Sequence, residues 1–590
     1  MGSIINCLHP GFIMIAVGLI IMVLPQKVAK VFYLAGPVAA LLSLFALDDK
    51  STLLYSMTKT IKIQFMHVDN LAMIFMVVFC VIAVIGTIYS MQCENKVEMG
   101  MSLIYAGSNM AVILAGDCLS LIIFWELAAL ASTYLVYAKH CRKSTRAAFR
   151  YILVHGFGGN MLLVGLLSYM FNYGTEISNI TGSNDFAFWF ILIGVSVNAA
   201  VPPMNSWMPD AYPESTIGGT VFLSSFTTKA AIYVMIRFFA GTQWLLWVGV
   251  FMAIYGVCMA LLENDLRRLL CYHIISQLGY MIAALSIGDA CGIDGAAAHA
   301  FNHILYKGTL VMCAGAVIYS TGKRKINELG GLYKKMPITA ITFLIASFAI
   351  SGMPFLNGFA SKALVMHSVE NAGYGIAALL LTVASAGTWL SVALKVNYYV
   401  FFGPFKDGKA EHENLPEVEI IRPVPLNMNI AMILGALSCV ITGIWPDLVY
   451  NLTPFQTDGH PFTAEHIAEY LALFVGTTLV FWLLRKKMSA HDELSLDFDI
   501  IYRKGLNGFV LWLSRGLHTA FDCCEKVALK LAHYLGSHFS NPYLWTANSN
   551  NEKIRHYSFE NEDHLIGDVI IVIITTMLVT VIAGCCILIK

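Results

Sequence analysis

The stretch HAFNHILYKG places His299, His303 and Lys307 at i, i+4 and i+8. On a helix these positions share one face. Two imidazoles and an amine in line can pass a proton along. Histidine exchanges protons near neutral pH, and an amine's proton affinity is set by its surroundings. Lysine is not a usual metal ligand and no carboxylate is near in sequence, so the spacing speaks against a metal centre. Four more ionisable residues stand alone in apolar runs: Glu126 in LIIFWELAAL, Lys229 in SSFTTKAAIYVMI, Lys362 in NGFASKALVM and Lys395 in WLSVALKVNYYVFFG.

These residues need elements to position them, and the composition says which. The 590 residues are 57% hydrophobic and 13% charged. A soluble domain carries about 25% charged residues. Stretches of about 20 apolar residues, each enough for one membrane span, recur along the chain. About sixteen are expected, centred near residues 17, 37, 81, 108, 127, 161, 194, 228, 252, 277, 308, 346, 388, 437, 477 and 578. The fold class is therefore an all-α polytopic membrane protein. One charge at mid-membrane costs about 3 kcal/mol or more, so the isolated ionisable residues need partners, water or a proton. Lys395 has a second reading, a side chain reaching the cytoplasmic edge. His155 and His273 read more readily as packing histidines.

The chain repeats itself. AFRYILVHG from Ala148 and AFNHILYKG from Ala300 share the pattern A-F-x-x-I-L-x-x-G. In the same register Pro202 falls on Pro354, Asn205 on Asn357, His155 on Lys307 and Asp210 on Lys362. Five spans separate the copies, so the second is expected to be inverted. Inverted repeats whose spans are broken by proline at matching places are a transporter pattern. Pro202, Pro203 and Pro354 are the expected breaks. The implied organisation has N-terminal spans (1–95), a first five-helix repeat (96–240), a second (241–405) and further spans (406–487). An amphipathic cytoplasmic segment (488–564) and a final span (565–590) complete it.

The 37 basic residues balance the 37 acidic ones, so no basic field points to nucleic acid. The fourteen cysteines lack metal-ligand spacing. GFGGN at 156–160 lies within a span and reads as close helix packing rather than a nucleotide loop. The start MGSIINCLHP has no charged n-region, so the first span is expected to be retained. Basic loops follow odd-numbered spans, which puts those loops in the cytoplasm and both termini outside.

WELAALAS, HAFNHILYKG, GMPFLNGFASK and RRLLCYHIISQLGYM resemble the antiporter-like subunits shared by respiratory complex I, membrane-bound hydrogenases and Mrp-type Na+/H+ antiporters. The likeness covers roughly residues 65 to 405. WMPDAYPESTIGGTVFLSSFTTKAAIYVMIR most resembles the D-type subunit of Mrp antiporters. The resemblance implies a proton-translocating subunit of a multisubunit Na+/H+ antiporter in a bacterial inner membrane. Its partners would be other membrane subunits, its ions H+ and Na+, and it would have no cofactor of its own. Alternatives are a proton-pumping module of an NADH:quinone oxidoreductase- or hydrogenase-like complex, or the membrane partner of an inorganic-carbon uptake complex. The resemblance gives the proton row as Glu126, Lys229, His299, His303, Lys307, Lys362 and Lys395. It also exposes a departure. The family's glutamate pairs with a seventh-span lysine nine residues before the tryptophan, and here that position is Asn198. Lys229 or a basic residue of a neighbouring subunit is expected to take its place.

Overall fold

The computed structural model describes residues 8–48, 51–56, 62–403, 418–457, 459–485, 488, 497–498, 500 and 507–539. Among these, twelve helices are long and apolar enough to cross a membrane, and three shorter apolar helices, Pro10–Val23, Phe186–Asn198 and Pro337–Ser351, accompany them. The chain divides into two units, Met1–Phe498 and Asp499–Lys590. The first fifteen expected centres fall in helices of the first unit. The sixteenth, with the rest of 565–590, lies outside the described residues.

Aspartates start many of the helices. Asp69, Asp117, Asp185, Asp265 and Asp289 each accept a backbone N–H at a helix N-terminus. This satisfies donors that have no partner within the helix. Asp117, the one other acid in the apolar run around Glu126, is thus a cap. Asp294 is fully buried and receives the backbone N–H groups of Phe455 at 3.0 Å and Thr457 at 2.9 Å, tying its helix to that loop.

The fold has one element that the apolar periodicity did not announce. Strands β1 (Thr52–Ser56) and β2 (Lys62–His67) form an antiparallel hairpin between the second and third spans. The hairpin is fastened from outside. The Gln64 backbone N–H donates to the Asp117 carboxylate, and His9 Nε2 lies 3.2 Å from the Phe65 carbonyl.

The helix Ala290–Thr321 stands at the centre of the first unit. It packs against Leu266–Ile287, Asn357–Asn371, Pro337–Ser351, Ile217–Ser225, Leu426–Ile444 and Asn70–Tyr89. Leu266–Ile287 in turn packs along Leu245–Leu262, where Gly279 faces Gly249 and Gly256 faces Ser276. Small residues at such crossings let membrane helices approach closely. A Cβ on Gly279 would overlap the Gly249 carbonyl and the Ala253 amide. Gly279→Val is expected to cost about 1–3 kcal/mol or more, as overpacking does. It should lower the melting temperature of the detergent-solubilised protein, and an unchanged melting temperature would contradict the close crossing.

Among the described residues three spans are interrupted. Phe186–Asn198 gives way to a non-helical stretch through Pro202 and Pro203, and helix resumes at Trp207–Ala211. Pro337–Ser351 stops at Gly352, whose φ of +91° suits glycine, and Asn357–Asn371 follows after Pro354. The third break, at Phe226, separates Ile217–Ser225 from Thr227–Phe239 without a proline. There the Thr227 N–H donates to the Tyr105 hydroxyl at 3.0 Å. A side chain thus satisfies a backbone group freed by the break, as membrane burial requires.

In the second unit the helix Asn507–Phe539 is described. It exposes Trp512, Leu517, Phe521 and Leu531, among other apolar side chains.

Candidate functional site

On the central helix, His299 places Nδ1 2.9 Å from Ser361 Oγ and Nε2 3.2 Å from Gln277 Oε1. The same Gln277 oxygen accepts from the Tyr306 hydroxyl at 3.4 Å. One turn on, the His303 ring lies 5.3 Å from that of Tyr306 and 6.5 Å from that of His299. Neither nitrogen of His303, nor the Lys307 ammonium, has a hydrogen-bond partner among the described residues, although both residues are fully buried. Buried polar atoms are normally satisfied by protein or water, and a site with several of them is polar enough to hold water.

The other three lysines are each held at the end of a helix. Lys229 Nζ donates to the Ser224 carbonyl at 2.6 Å, across the Phe226 break. Lys362 Nζ donates to the Ile350 and Ser351 carbonyls at 3.0 and 3.3 Å, where Pro337–Ser351 ends. It also reaches Ser385 Oγ at 3.0 Å and sits 4.9 Å from the Tyr280 ring centre. Lys395 Nζ donates to the Leu261 and Glu263 carbonyls at 2.6 and 3.1 Å, at the end of Leu245–Leu262. A helix C-terminus carries unpaired carbonyls and partial negative charge, so it suits a cation. Lys395 is 2% exposed, with its ammonium held at that helix end. The segment that carries it, Trp389–Phe402, is π-helical, a form that recurs at functional sites.

These groups form one electrostatic neighbourhood. Lys229 senses Lys307. His303 senses Lys229, Lys307, His299 and Lys362. His273 senses Lys307, Lys362 and Lys395, and its Nε2 lies 2.9 Å from Ser391 Oγ. Reading His273 as a packing histidine overlooked this position. The signal was available in sequence, since His273, Gln277 and Tyr280 recur on one face of an otherwise apolar helix.

The first half is arranged differently. Glu126 is half-buried on its helix, Cys118–Tyr137, and makes no ion pair or hydrogen bond among the described residues. Ile123 and Leu130, on the same face, are 49% and 58% exposed. The carboxylate packs on Gly159, where an added Cβ would overlap Oε1. Gly159→Ala is therefore expected to displace the Glu126 carboxylate and lower ion flux with the protein still assembled. Unchanged flux would show that the position of Glu126 is unimportant.

Lys229 lies among the second-half groups and makes no ion pair with Glu126. Asn198 is buried, and its Oδ1 has no partner among the described residues. In place of a lysine, the Trp207 indole caps this half-helix by donating to the Val197 carbonyl at 2.8 Å. His155 stacks on Tyr151 with ring centres 3.9 Å apart and abuts Trp207 at 4.5 Å, a packed position. Asp210 forms an ion pair with Arg150 at 2.6 Å. Asn205, just past the prolines, donates to the Tyr255 hydroxyl at 3.0 Å. Tyr255 and Tyr272 both donate to the Asp497 carboxylate, Tyr272 at 2.8 Å. Asp497 comes from beyond the last helix of the first unit, a distance in sequence at which no spacing rule operates.

Residues 115–388 match the family described as NADH:quinone oxidoreductase/Mrp antiporter, transmembrane. The chain is 30% identical over 431 residues to the A-type subunit of the Na(+)/H(+) antiporter of Alkalihalophilus pseudofirmus, covering 65% of this chain and 52% of that protein. It thus spans about half the length of that relative. It is 29% identical over 378 residues to an uncharacterized protein of Methanocaldococcus jannaschii, covering 61% of this chain and 76% of the relative. Its fold is that of a chain in the Mrp complex from Dietzia sp., with a TM-score of 0.67, 21% identity and coverage of 80% and 99%. A chain of respiratory complex I from Thermus thermophilus gives a TM-score of 0.67 at 19% identity, covering 78% and 99%. The antiporter relative is of the A type, so the D-type likeness rests on the Trp207–Arg237 motif alone.

Proposed function

We propose that the chain is the proton-translocating subunit of a multisubunit monovalent cation/proton antiporter. The observation that carries this reading is the buried row Lys229, His303, Lys307, His299, Lys362 and Lys395, in which Lys307 and His303 have no protein partner among the described residues. A row of ionisable groups held where charge is costly is suited to moving protons. The broken span Pro337–Asn371, interrupted at Pro354, and the break at Phe226 supply carbonyl ends to Lys362 and Lys229, and the break at Pro202 and Pro203 is the repeat-matched partner of the one at Pro354. Na+ is the cation this reading favours, since the similar A-type protein is named for it. Other membrane subunits and a bacterial inner membrane complete the reading.

The test is function in a bacterium stripped of its own Na+/H+ antiporters. The chain with its co-purifying subunits should restore growth at high Na+ and alkaline pH, and omission of the chain should remove the effect. Growth that is independent of the chain would contradict the proposal. The equal likeness in fold to a complex I chain favours a second reading, a proton-pumping module of a redox complex. Co-purification with flavin- or iron–sulfur-bearing subunits would select it.

A further inference from the structure

The span broken at Pro202 and Pro203 resumes as Trp207–Ala211 and runs into the turn Tyr212–Glu214, and both pieces pack on Leu266–Ile287. Two arginines grip that turn. Arg267 is 6% exposed, and its Nη1 donates to the Pro213 and Ser215 carbonyls at 3.2 and 2.9 Å. Arg324 Nη1 donates to Glu214 Oε1 at 2.9 Å. Through Nε the same guanidinium donates to the Asp265 carboxylate. A guanidinium carries its donors in a rigid planar fork, so Arg324 fixes the two carboxylates relative to each other, which an ammonium on a flexible stem does not.

Asp265 is also the residue that starts Leu266–Ile287. Its Oδ1 accepts the Arg267 and Arg268 backbone N–H groups at 2.9 and 3.2 Å. The grip therefore closes on the first turn of the helix that seats the row, since further along it Gln277 Oε1 meets His299 Nε2 at 3.2 Å. Both sides of the bridge are braced. Glu263 Oε1 accepts the Asn264 and Asp265 N–H groups at 3.1 Å, and its Oε2 accepts from Arg268 Nε at 2.9 Å. The Leu266 N–H donates to the Arg324 carbonyl at 3.0 Å, and the Ile326 N–H to the Asn264 carbonyl at 2.8 Å. A partly exposed ion pair adds little to stability, so what this one supplies is geometry.

We propose that Arg324 and Arg267 are positioning residues that fasten the resumed half of the first broken span to Leu266–Ile287, so that motion at the Pro202–Pro203 break is carried to Gln277 and His299 and sets how protons are matched to cations. This rests on the proton-translocating reading of the row. Arg324 is the bridge, and Arg267 holds the turn in place for it.

Transport by the full complex in membrane vesicles tests it, read as H+ moved per Na+ and as flux per assembled complex. Glu214→Gln removes one arm of the bridge and leaves Arg324 on Asp265. It should lower the H+ moved per Na+ about twofold or more, the size of effect expected of a coupling residue remote from the ions. A fault in assembly alone would lower the amount of complex and leave that ratio unchanged. Glu214→Cys combined with Arg324→Cys replaces the ion pair by two thiols and should lower the ratio likewise. A bifunctional methanethiosulfonate reagent of matching length should link the two thiols and restore the ratio, measured against the wild-type complex given the same reagent. A reducing agent should undo the restoration. Two results overturn the proposal: an unchanged ratio in Glu214→Gln or in the unlinked cysteine pair, or a link verified by mass spectrometry with the ratio still low. Either result beside a normal wild-type complex removes the positioning role alone. Absence of Na+-coupled proton movement in the wild-type complex removes both this proposal and the reading it rests on.

Discussion

Replacing Lys307 by alanine is expected to lower cation-coupled proton flux about tenfold or more, a rise of about 1.4 kcal/mol per tenfold in the limiting barrier. Assembly should persist, because Lys307 makes no hydrogen bond whose loss would leave another described group unpaired. The other three lysines do make such bonds. Lys395 in particular satisfies the Leu261 and Glu263 carbonyls at the end of a helix. Its ammonium has a fixed structural use, whereas that of Lys307 has no hydrogen-bond partner among the described residues. Lys395→Ala should therefore cost stability more than flux, and Lys307→Ala flux more than stability. Flux from equal amounts of assembled protein, with melting temperatures alongside, separates the two effects. A larger flux loss in Lys395→Ala would mean that the channel runs along a different helix.

Glu126→Gln is the second large effect. It keeps the shape of the side chain and removes its charge and its proton exchange. Flux should fall by about tenfold or more. The identity of its partner is open to a double-mutant cycle. Lys229 donates to the Ser224 carbonyl and makes no ion pair with Glu126. Its substitution should therefore be additive with Glu126→Gln to within about 0.5 kcal/mol, and coupled by about 1 kcal/mol or more to Lys307→Ala. Glu126 instead shares an open helix face with Ile123 and Leu130. The proposal that follows is a cationic side chain from a neighbouring membrane protein of the complex over that face. Coupling between positions 126 and 229 would overturn this and restore Lys229 as the substitute for the lysine missing at Asn198.

The ionisable row was legible because membrane burial makes charge conspicuous. A glutamate in LIIFWELAAL or a lysine in NGFASKALVM needs no structure to stand out. The breaks at Pro202, Pro203 and Pro354 were legible for a similar reason, since proline has no amide hydrogen to give. The break at Phe226 was not, because it lies between residues that all tolerate helix and depends on a Tyr105 hydroxyl 122 residues away. The hairpin at 52–67 was hidden by its short strands, which offer little periodicity to read. The use of three lysines as helix caps was also hidden. Lys395 and the carbonyls it meets are 134 and 132 residues apart, and only packing brings them together. His273 reads as packing when taken alone, although Gln277 and Tyr280 share its face of an otherwise apolar helix.

The claim that this chain moves protons is tested most directly in everted membrane vesicles energised to a fixed transmembrane pH difference and monitored with a pH-sensitive dye. Adding Na+ to vesicles that carry the complete complex should collapse the difference. Vesicles from cells that lack only this chain should hold it, as should vesicles carrying the chain as Lys307→Ala. A gradient that survives Na+ and other monovalent cations in the complete complex, or that collapses equally without this chain, would contradict the account.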